Sequence, residues 1–506
     1  MIAASRLPPA RSGGDQHGTA RVLRHGEPGY AAHPWGREGS LAIVSCRSAN
    51  DVVSAVNLAK SAGVRLVAPG SGYRRGDGEA QGSILVDLRP LNGVRRSHDR
   101  RVLSVRAGAV VASVQAAAAR SGRGAVTGIS ARGGMATLLS GDLGFLTARH
   151  GWSCDGVLSA EVVTASGRIV RASPEENADL FWAVRGAASD VGIVTAIDVA
   201  THAVGKTVLA GEMIWSGARA VRDALRMLRD FEQVCSSDLS FFLTLETARP
   251  HGRTGRAGEV ALRAIVCHVG ARGAAEAELA ALRALSSPWR DTVDSITFPR
   301  AHEIYDAMVA DHGPFSVGDD EIVRALSDEV IDLLLDEAAV LGEQDASTAR
   351  MLQLSPAHKG INEHRGFGGP LAVRSGGQWD VCAVAMYALP ERSASEQAWV
   401  AKVCAAVRGS RDGVGSPVAA SWAGDLGERR ARALFTDTYD ALARVKAHWD
   451  PTNVFRSNAN IIPARRAGRK EGQYEGHPQR TASDTGLTPD VVHGRCELGP
   501  SGCVPA

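Results

Sequence analysis

The 506-residue sequence carries no surplus of charge of one sign: its formal net charge is +2. A near-neutral chain presents no broad basic face, which argues against nucleic acid or an acidic lipid surface as partner. No run approaches the ~18 consecutive apolar residues that a membrane helix needs. The opening MIAASRLPPARSGGDQHG lacks the apolar core of a secretory signal, so a cytoplasmic location is expected. Cys46, Cys154, Cys235, Cys267, Cys382, Cys404, Cys496 and Cys503 include no CxxC pair. Buried free thiols in a reducing compartment are the simpler reading, although Cys496 and Cys503 are free to pair. Also missing are a GxSxG elbow, a Walker loop and an HExxH helix; His302-Glu303 has no second histidine at that spacing. Serine-hydrolase and metal mechanisms therefore find no support, and no metal site is expected.

What is present is an ample core, with 44% hydrophobic and 22% charged residues, enough for two or three domains. Residues 1–38 read as a loose arm. From Leu41 the pattern predicts strands at 41–46, 64–68, 84–88 and 102–108. Helices are predicted from Asn50 to about Ala62, ended by Gly63, and from Val110 to Ala119. Residues 157–173 form a hairpin around a Ser-Gly turn, 177–184 a short helix and 192–204 a closing strand. Between 206 and 408 the strings GEMIWS, LSFFLTLETA, EVALRAIVCHV and WDVCAVAMYAL predict one antiparallel sheet. Amphipathic helices lie between them at 218–231, 274–285, 327–341 and 395–407. Residues 409–463 return to the first domain, and 464–506 have the composition of a disordered tail. The expected fold class is α+β: a two-part module (39–205 and 409–463) with an antiparallel-sheet-plus-helices substrate domain (206–408) inserted.

Two glycine-rich stretches are candidate ligand contacts. APGSGYRRGDG (68–78) follows a strand, and its small residues let backbone N–H groups approach a phosphate. Gly70-x-Gly72 fits a Rossmann turn as a string but not in context, because another strand follows rather than a helix. A plain turn is an equal rival. GISARGGMATLLSGDLGFLTARHG (128–151) is a longer run of small residues, placed where backbone lies against a ligand or where a loop simply crosses.

Three strings carry a resemblance. AEVVTASGRIVRAS, ENADLFWAVRG and the closing VKAHWDPTNVFRSNANIIP occur in the order found in FAD-linked oxidases of the berberine-bridge-enzyme and vanillyl-alcohol-oxidase type. The resemblance implies an FAD-binding module of the PCMH type in residues 40–205 and 409–463, with 206–408 as the variable substrate half. It also implies an oxidoreductase acting on a small molecule of specialised metabolism. Its cofactor contacts fall on Pro69, Gly70, Ser71, Gly72, Tyr73, Arg74, Ile129, Gly133, Gly134, Ser140, Gly141, Asp142, Gly144, Gly192 and Val194.

Departures from the family pattern cluster around the flavin. Tyr73 stands at the histidine, and Ile129 at the cysteine, through which relatives bond the flavin, so any FAD is expected to be non-covalent. Ser140-Gly141-Asp142 replaces three glycines, setting a carboxylate where a diphosphate lies, with Arg74 and Arg75 as cations on the facing loop. Ala188-Ser189-Asp190-Val191 replaces Gly-Gly-Asn-Phe. The stretch before the last helix has no tyrosine, which leaves Tyr73, Trp422 and Asp425 as weak catalytic candidates. Two alternatives follow: a non-redox enzyme on the same scaffold (a cyclase, pericyclase or dehydratase), or a natural-product-binding protein.

Overall fold

A computed structural model describes residues 20–33, 36, 39–69, 74–75, 81–248, 255–310, 313, 315–341, 348–356, 368–371, 379–415, 427–456 and 460–465. Its first layer is a four-stranded sheet in the order Arg21–Arg24, Ala42–Ser45, Ile84–Asp87, Leu66–Val67, antiparallel at the first pair and parallel at the others. Part of the expected loose arm therefore belongs to a sheet, and Tyr30 fixes it by donating its hydroxyl to the Ser40 carbonyl at 2.7 Å. The helix Ala49–Ala62 covers this sheet. Its cap is Ser48 in a capping box with Asp51, rather than Asn50, and it ends at Gly63 in the left-handed region (φ 64°).

The second sheet runs Ile169–Ala172, Val157–Val163, Ile193–Ala203, Val102–Arg106, Val94–Arg96, with Arg123–Ala125 also on Ile193–Ala203. The predicted hairpin is present, and Gly167 (φ 83°) supplies its turn. The helix expected over 177–184 continues to Val191 across a kink at Arg185, Gly186 and Ala187.

The third sheet carries the substrate half. Its order is Arg290–Asp291, Val208–Ser216, Val260–His268, Leu239–Thr247, Thr348–Pro356, Trp379–Tyr387, Phe315–Val323, Arg74–Arg75. The strands Phe315–Val323 and Thr348–Pro356 are absent from the sequence reading. Arg74–Arg75 runs parallel to Phe315–Val323, so the chain leaving the first glycine-rich loop joins the substrate sheet directly.

Alternation divides this sheet into two faces. Phe241, Leu243, Leu352, Leu354, Val381 and Ala383 pack under the helices Ala218–Glu232, Asp328–Val340 and Ser393–Gly409. Phe242, Met351, Cys382, Val384 and Met386 point the other way, into one core with Phe145, Leu146, Trp152 and Val162 of the module. The two halves thus meet across a shared apolar interface, with polar residues among its facing rows. Cys46, Cys154, Cys267, Cys382 and Cys404 are buried and Cys235 is half-buried; Cys496 and Cys503 lie outside the described residues. Among the described residues no helix is long and apolar enough to cross a membrane.

Candidate active site

The second glycine-rich stretch is more ordered than its composition predicts. Gly134 precedes the short helix Met135–Ser140, which Gly141 stops in the left-handed region (φ 86°). Asp142 follows immediately and is held from several sides. Its N–H donates to Ser153 Oγ at 2.7 Å, and its Oδ1 accepts from the Leu143 N–H at 2.9 Å. A Cβ on Gly128 would fall 2.1 Å from Asp142 Oδ2, so the carboxyl fills the space beside that glycine.

Burial raises the Asp142 pKa to about 7, and the Leu143 N–H offsets only part of this. This works against the full charge that the sequence leads one to expect at Asp142. Its carboxyl is turned toward Gly128.

Across the interface the substrate sheet supplies a second carboxyl. Asp380 begins the module-facing row of Trp379–Tyr387 that continues through Cys382, Val384 and Met386. Ser355 and Ile322 are its cross-strand neighbours, and Asp320 and Gln353 flank Cys382 in the next row. Asp380 Oδ1 is enclosed with no hydrogen-bond partner. Burial, then the nearby Asp320, Asp142 and Glu321, push its pKa well above the ordinary carboxylate range. Asp142 and Asp380 each keep part of their surface exposed. Gln353 donates to the Tyr305 hydroxyl at 3.0 Å on the same face.

The helix Phe298–Val309 closes this side. Asp306 accepts from Ser130 Oγ at 2.6 Å and from the Arg132 N–H at 3.0 Å, latching the helix to the second loop. His302 on the same helix is buried edge-on between Phe145 and Phe298, with ring centroids 5.0 and 5.1 Å away. Its ring lies beside the backbone of Gly128 and Ile129 without a hydrogen bond of good geometry. Burial lowers its pKa to about 4, so it is neutral at physiological pH.

Of the contacts inferred from sequence, Ile129, Gly141 and Asp142 belong to this interface. Ile129 is half-buried against the core. Gly133 and Gly134 are buried, and Ser140 turns its hydroxyl back to the Thr137 carbonyl at 3.0 Å. Gly144 is required by packing, since a Cβ there would lie 1.7 Å from the Thr127 carbonyl oxygen. Gly192 and Val194 lie where the Ile193–Ala203 strand begins, against Val162. Pro69 is half-buried, and Arg74 is described by its backbone only. Gly70, Ser71, Gly72, Tyr73, Trp422 and Asp425 lie outside the described residues.

Sequence reasoning missed Asp320, Asp380, Gln353, Tyr305 and His302. The available signal was an acidic pair, Asp319-Asp320, in a stretch that alternates into Ile322.

The closing segment is fastened by a buried cation. Lys446 and Asp450 are both fully buried. Lys446 Nζ donates to the Asp190 carbonyl at 2.5 Å, the Phe455 carbonyl at 2.7 Å and Asp450 Oδ2 at 3.0 Å. Asp190 Oδ1 accepts from the Ile461 N–H at 3.0 Å. Asp190, which replaces the family asparagine, thus uses an acceptor that asparagine also possesses. Burial raises its pKa to about 7 against the pull of Lys446.

The FAD binding domain family matches residues 40–173, and the family described as berberine and berberine like matches 423–462. (R)-6-hydroxynicotine oxidase of Paenarthrobacter nicotinovorans is 30% identical over 446 residues, 83% of this chain and 91% of that protein. The chain belongs to the berberine-bridge-type family of FAD-linked oxidoreductases. Two solved structures share its fold. One is 6-hydroxy-D-nicotine oxidase from Arthrobacter nicotinovorans (TM-score 0.74, 22% identity, 89% of this chain and 99% of that one). The other is the berberine-bridge-like protein 1 of Physcomitrella patens (TM-score 0.75, 18% identity, 88% and 98%). The chain is an FAD-linked oxidoreductase, and its relatives favour neither the non-redox nor the binding-protein alternative.

The described residues fit a flavin in their donor–acceptor chemistry. The cleft offers Asp380 Oδ1, an enclosed acceptor lacking a donor, and the ring of a flavin and a substrate nitrogen both supply N–H groups. Gly141 and Ile129 from the second stretch would hold the ring side, and the start of the Ile193–Ala203 strand the adenine side.

Proposed function

We propose that this oxidoreductase dehydrogenates a carbon–nitrogen bond in a small basic molecule, with FAD held non-covalently. The observation that carries the reading is the enclosed, unpartnered Asp380 Oδ1, which faces the module beside Asp142. Two carboxyls in a poorly solvated cleft resist ionising together. An ammonium group entering the cleft brings both the positive charge and the N–H donors that they lack, whereas a neutral alcohol brings no charge. A relative that spans most of the chain is, by its name, an oxidase of 6-hydroxynicotine, a nitrogenous small molecule.

When bound, FAD supplies the hydride acceptor. The chain's own part is to orient and to manage a proton. Asp380 accepts the proton released from the substrate nitrogen as the carbon–nitrogen bond gains double-bond character. Asp142 shares the negative charge, Gln353 and Tyr305 offer polar contacts, and Met351 and Val384 form an apolar wall that limits water. Ile129 has no nucleophilic atom to bond a flavin, and Tyr73 cannot form the histidyl linkage.

The test is anaerobic reduction of the FAD-loaded protein by matched pairs of compounds, each a secondary amine and the alcohol of the same skeleton. Bleaching of the flavin band by amines, at a rate reduced at least about a hundredfold in Asp380→Asn, is the expected result. Equal bleaching by the alcohols, or an unaffected Asp380→Asn, would remove the reading.

A further inference from the structure

We infer that a second binding site, separate from the flavin cleft, lies at the far end of the Ile193–Ala203 strand and takes a small organic phosphate. A cavity of about 340 Å³ opens there, lined by Arg101, Arg123, Arg149, His150, His202 and Ala203. His202 lies ten positions along the strand from Gly192, about 30 Å along the sheet from the adenine-side glycine.

The lining is assembled by the fold. The Thr201 N–H donates to the Arg101 carbonyl at 2.8 Å, which sets Arg101 at the entrance to Val102–Arg106. Arg123 pairs with Ala203 across the Arg123–Ala125 strand. Its guanidinium donates to Thr201 Oγ1 at 2.8 Å and also to the Thr201 carbonyl. Both acceptors are neutral, so Arg123 is oriented by them without losing its charge. His150 stacks face to face on His202, with centroids 3.7 Å apart and planes at 19°. Arg149 completes the wall while bonded to Asp238 at 2.6 Å.

Among the described residues, two carboxylates stand against three guanidinium groups, Asp238 on Arg149 and Asp99 beside Arg101 and Arg123. The surplus is positive before either histidine takes a proton. Guanidinium forks match the geometry of phosphate oxygens, and the Arg101 and Arg123 side chains both line the cavity. The volume leaves room for an organic part beyond the phosphate itself.

The test uses FAD-loaded protein at constant ionic strength, titrated with AMP and with inorganic phosphate while thermal stability and the flavin spectrum are followed. Both ligands are expected to stabilise saturably, AMP more tightly, with the flavin band unchanged. Arg101→Glu should weaken both by at least about tenfold, equivalent to ~1.4 kcal/mol, with Arg101→Gln as the milder variant should the first fold poorly. Arg219→Glu, at a side chain 97% exposed on a distant helix, should leave both unchanged. The proposal is overturned by an absence of saturable binding, by equal weakening in the Arg101 and Arg219 variants, or by phosphate displacing the flavin. Binding of inorganic phosphate without AMP would overturn the organic-phosphate assignment.

Discussion

Asp142 and Gly128 share one space: the carboxyl of the first occupies the position of a side chain on the second, 2.1 Å from where its Cβ would be. Gly128 is therefore glycine because Asp142 is aspartate, and the pair should behave as a unit. Gly128→Ala alone should destabilise by about 1–3 kcal/mol through overpacking. The same change in an Asp142→Gly background should cost less, giving a coupling of at least about 1 kcal/mol in a double-mutant cycle of denaturant unfolding. Additive effects would place the carboxyl elsewhere.

Two buried groups beside Gly128 should give stability opposite dependences on pH. Asp142 is raised from 3.8 to about 7, so the folded protein holds that proton longer than the unfolded chain does. Its contribution is fully present below 3.8 and is lost as pH rises through about 7. His302 is lowered from 6.5 to about 4, so its contribution is present above 6.5 and is lost as pH falls through about 4. Asp142→Asn should gain stability over the parent at pH 8 relative to pH 4, by at most about 4 kcal/mol. Urea unfolding at those two pH values measures it, and an unchanged difference would show a carboxyl that ionises freely.

The buried cation of the closing segment should be indispensable. Lys446→Met removes three donor contacts and leaves the buried Asp450 without its cation, so a loss of about 3–5 kcal/mol is expected. Asp190→Asn keeps an oxygen for the Ile461 N–H and leaves the carbonyl bound by Lys446 untouched. It should cost under about 1 kcal/mol. Calorimetric melting of both variants checks the ranking.

FAD should leave the protein on denaturation. After acid precipitation and centrifugation the yellow colour is expected in the supernatant, and colour in the pellet would reveal a covalent bond that neither Tyr73 nor Ile129 supplies by the family's usual chemistry.

Much of this architecture was legible because the module's strands and helices bury apolar residues at regular spacing. The hairpin 157–173 and the helix ending at Gly63 are two cases, since the turn and cap glycines mark their limits. The strands Phe315–Val323 and Thr348–Pro356 escaped for a physical reason. Their module-facing positions include Asp320 and Gln353, polar residues that break the apolar alternation by which a strand is recognised. Those same residues line the cleft, so chemistry and legibility competed for one face. Asp142 was singled out in the sequence, but its partner Asp380 was not. No local pattern shows that residues 238 positions apart share a cleft.

The most direct measurement is the pH dependence of anaerobic flavin reduction by a secondary amine, in the parent protein and in Asp380→Asn. If Asp380 accepts the substrate proton, the parent rate should rise with pH through a single ionisation above the ordinary carboxylate range. That ionisation should be missing from the variant, whose flavin remains bound but is reduced at least about a hundredfold more slowly. A variant that keeps the parental profile and rate would contradict the assignment of Asp380 and with it the proposed amine chemistry.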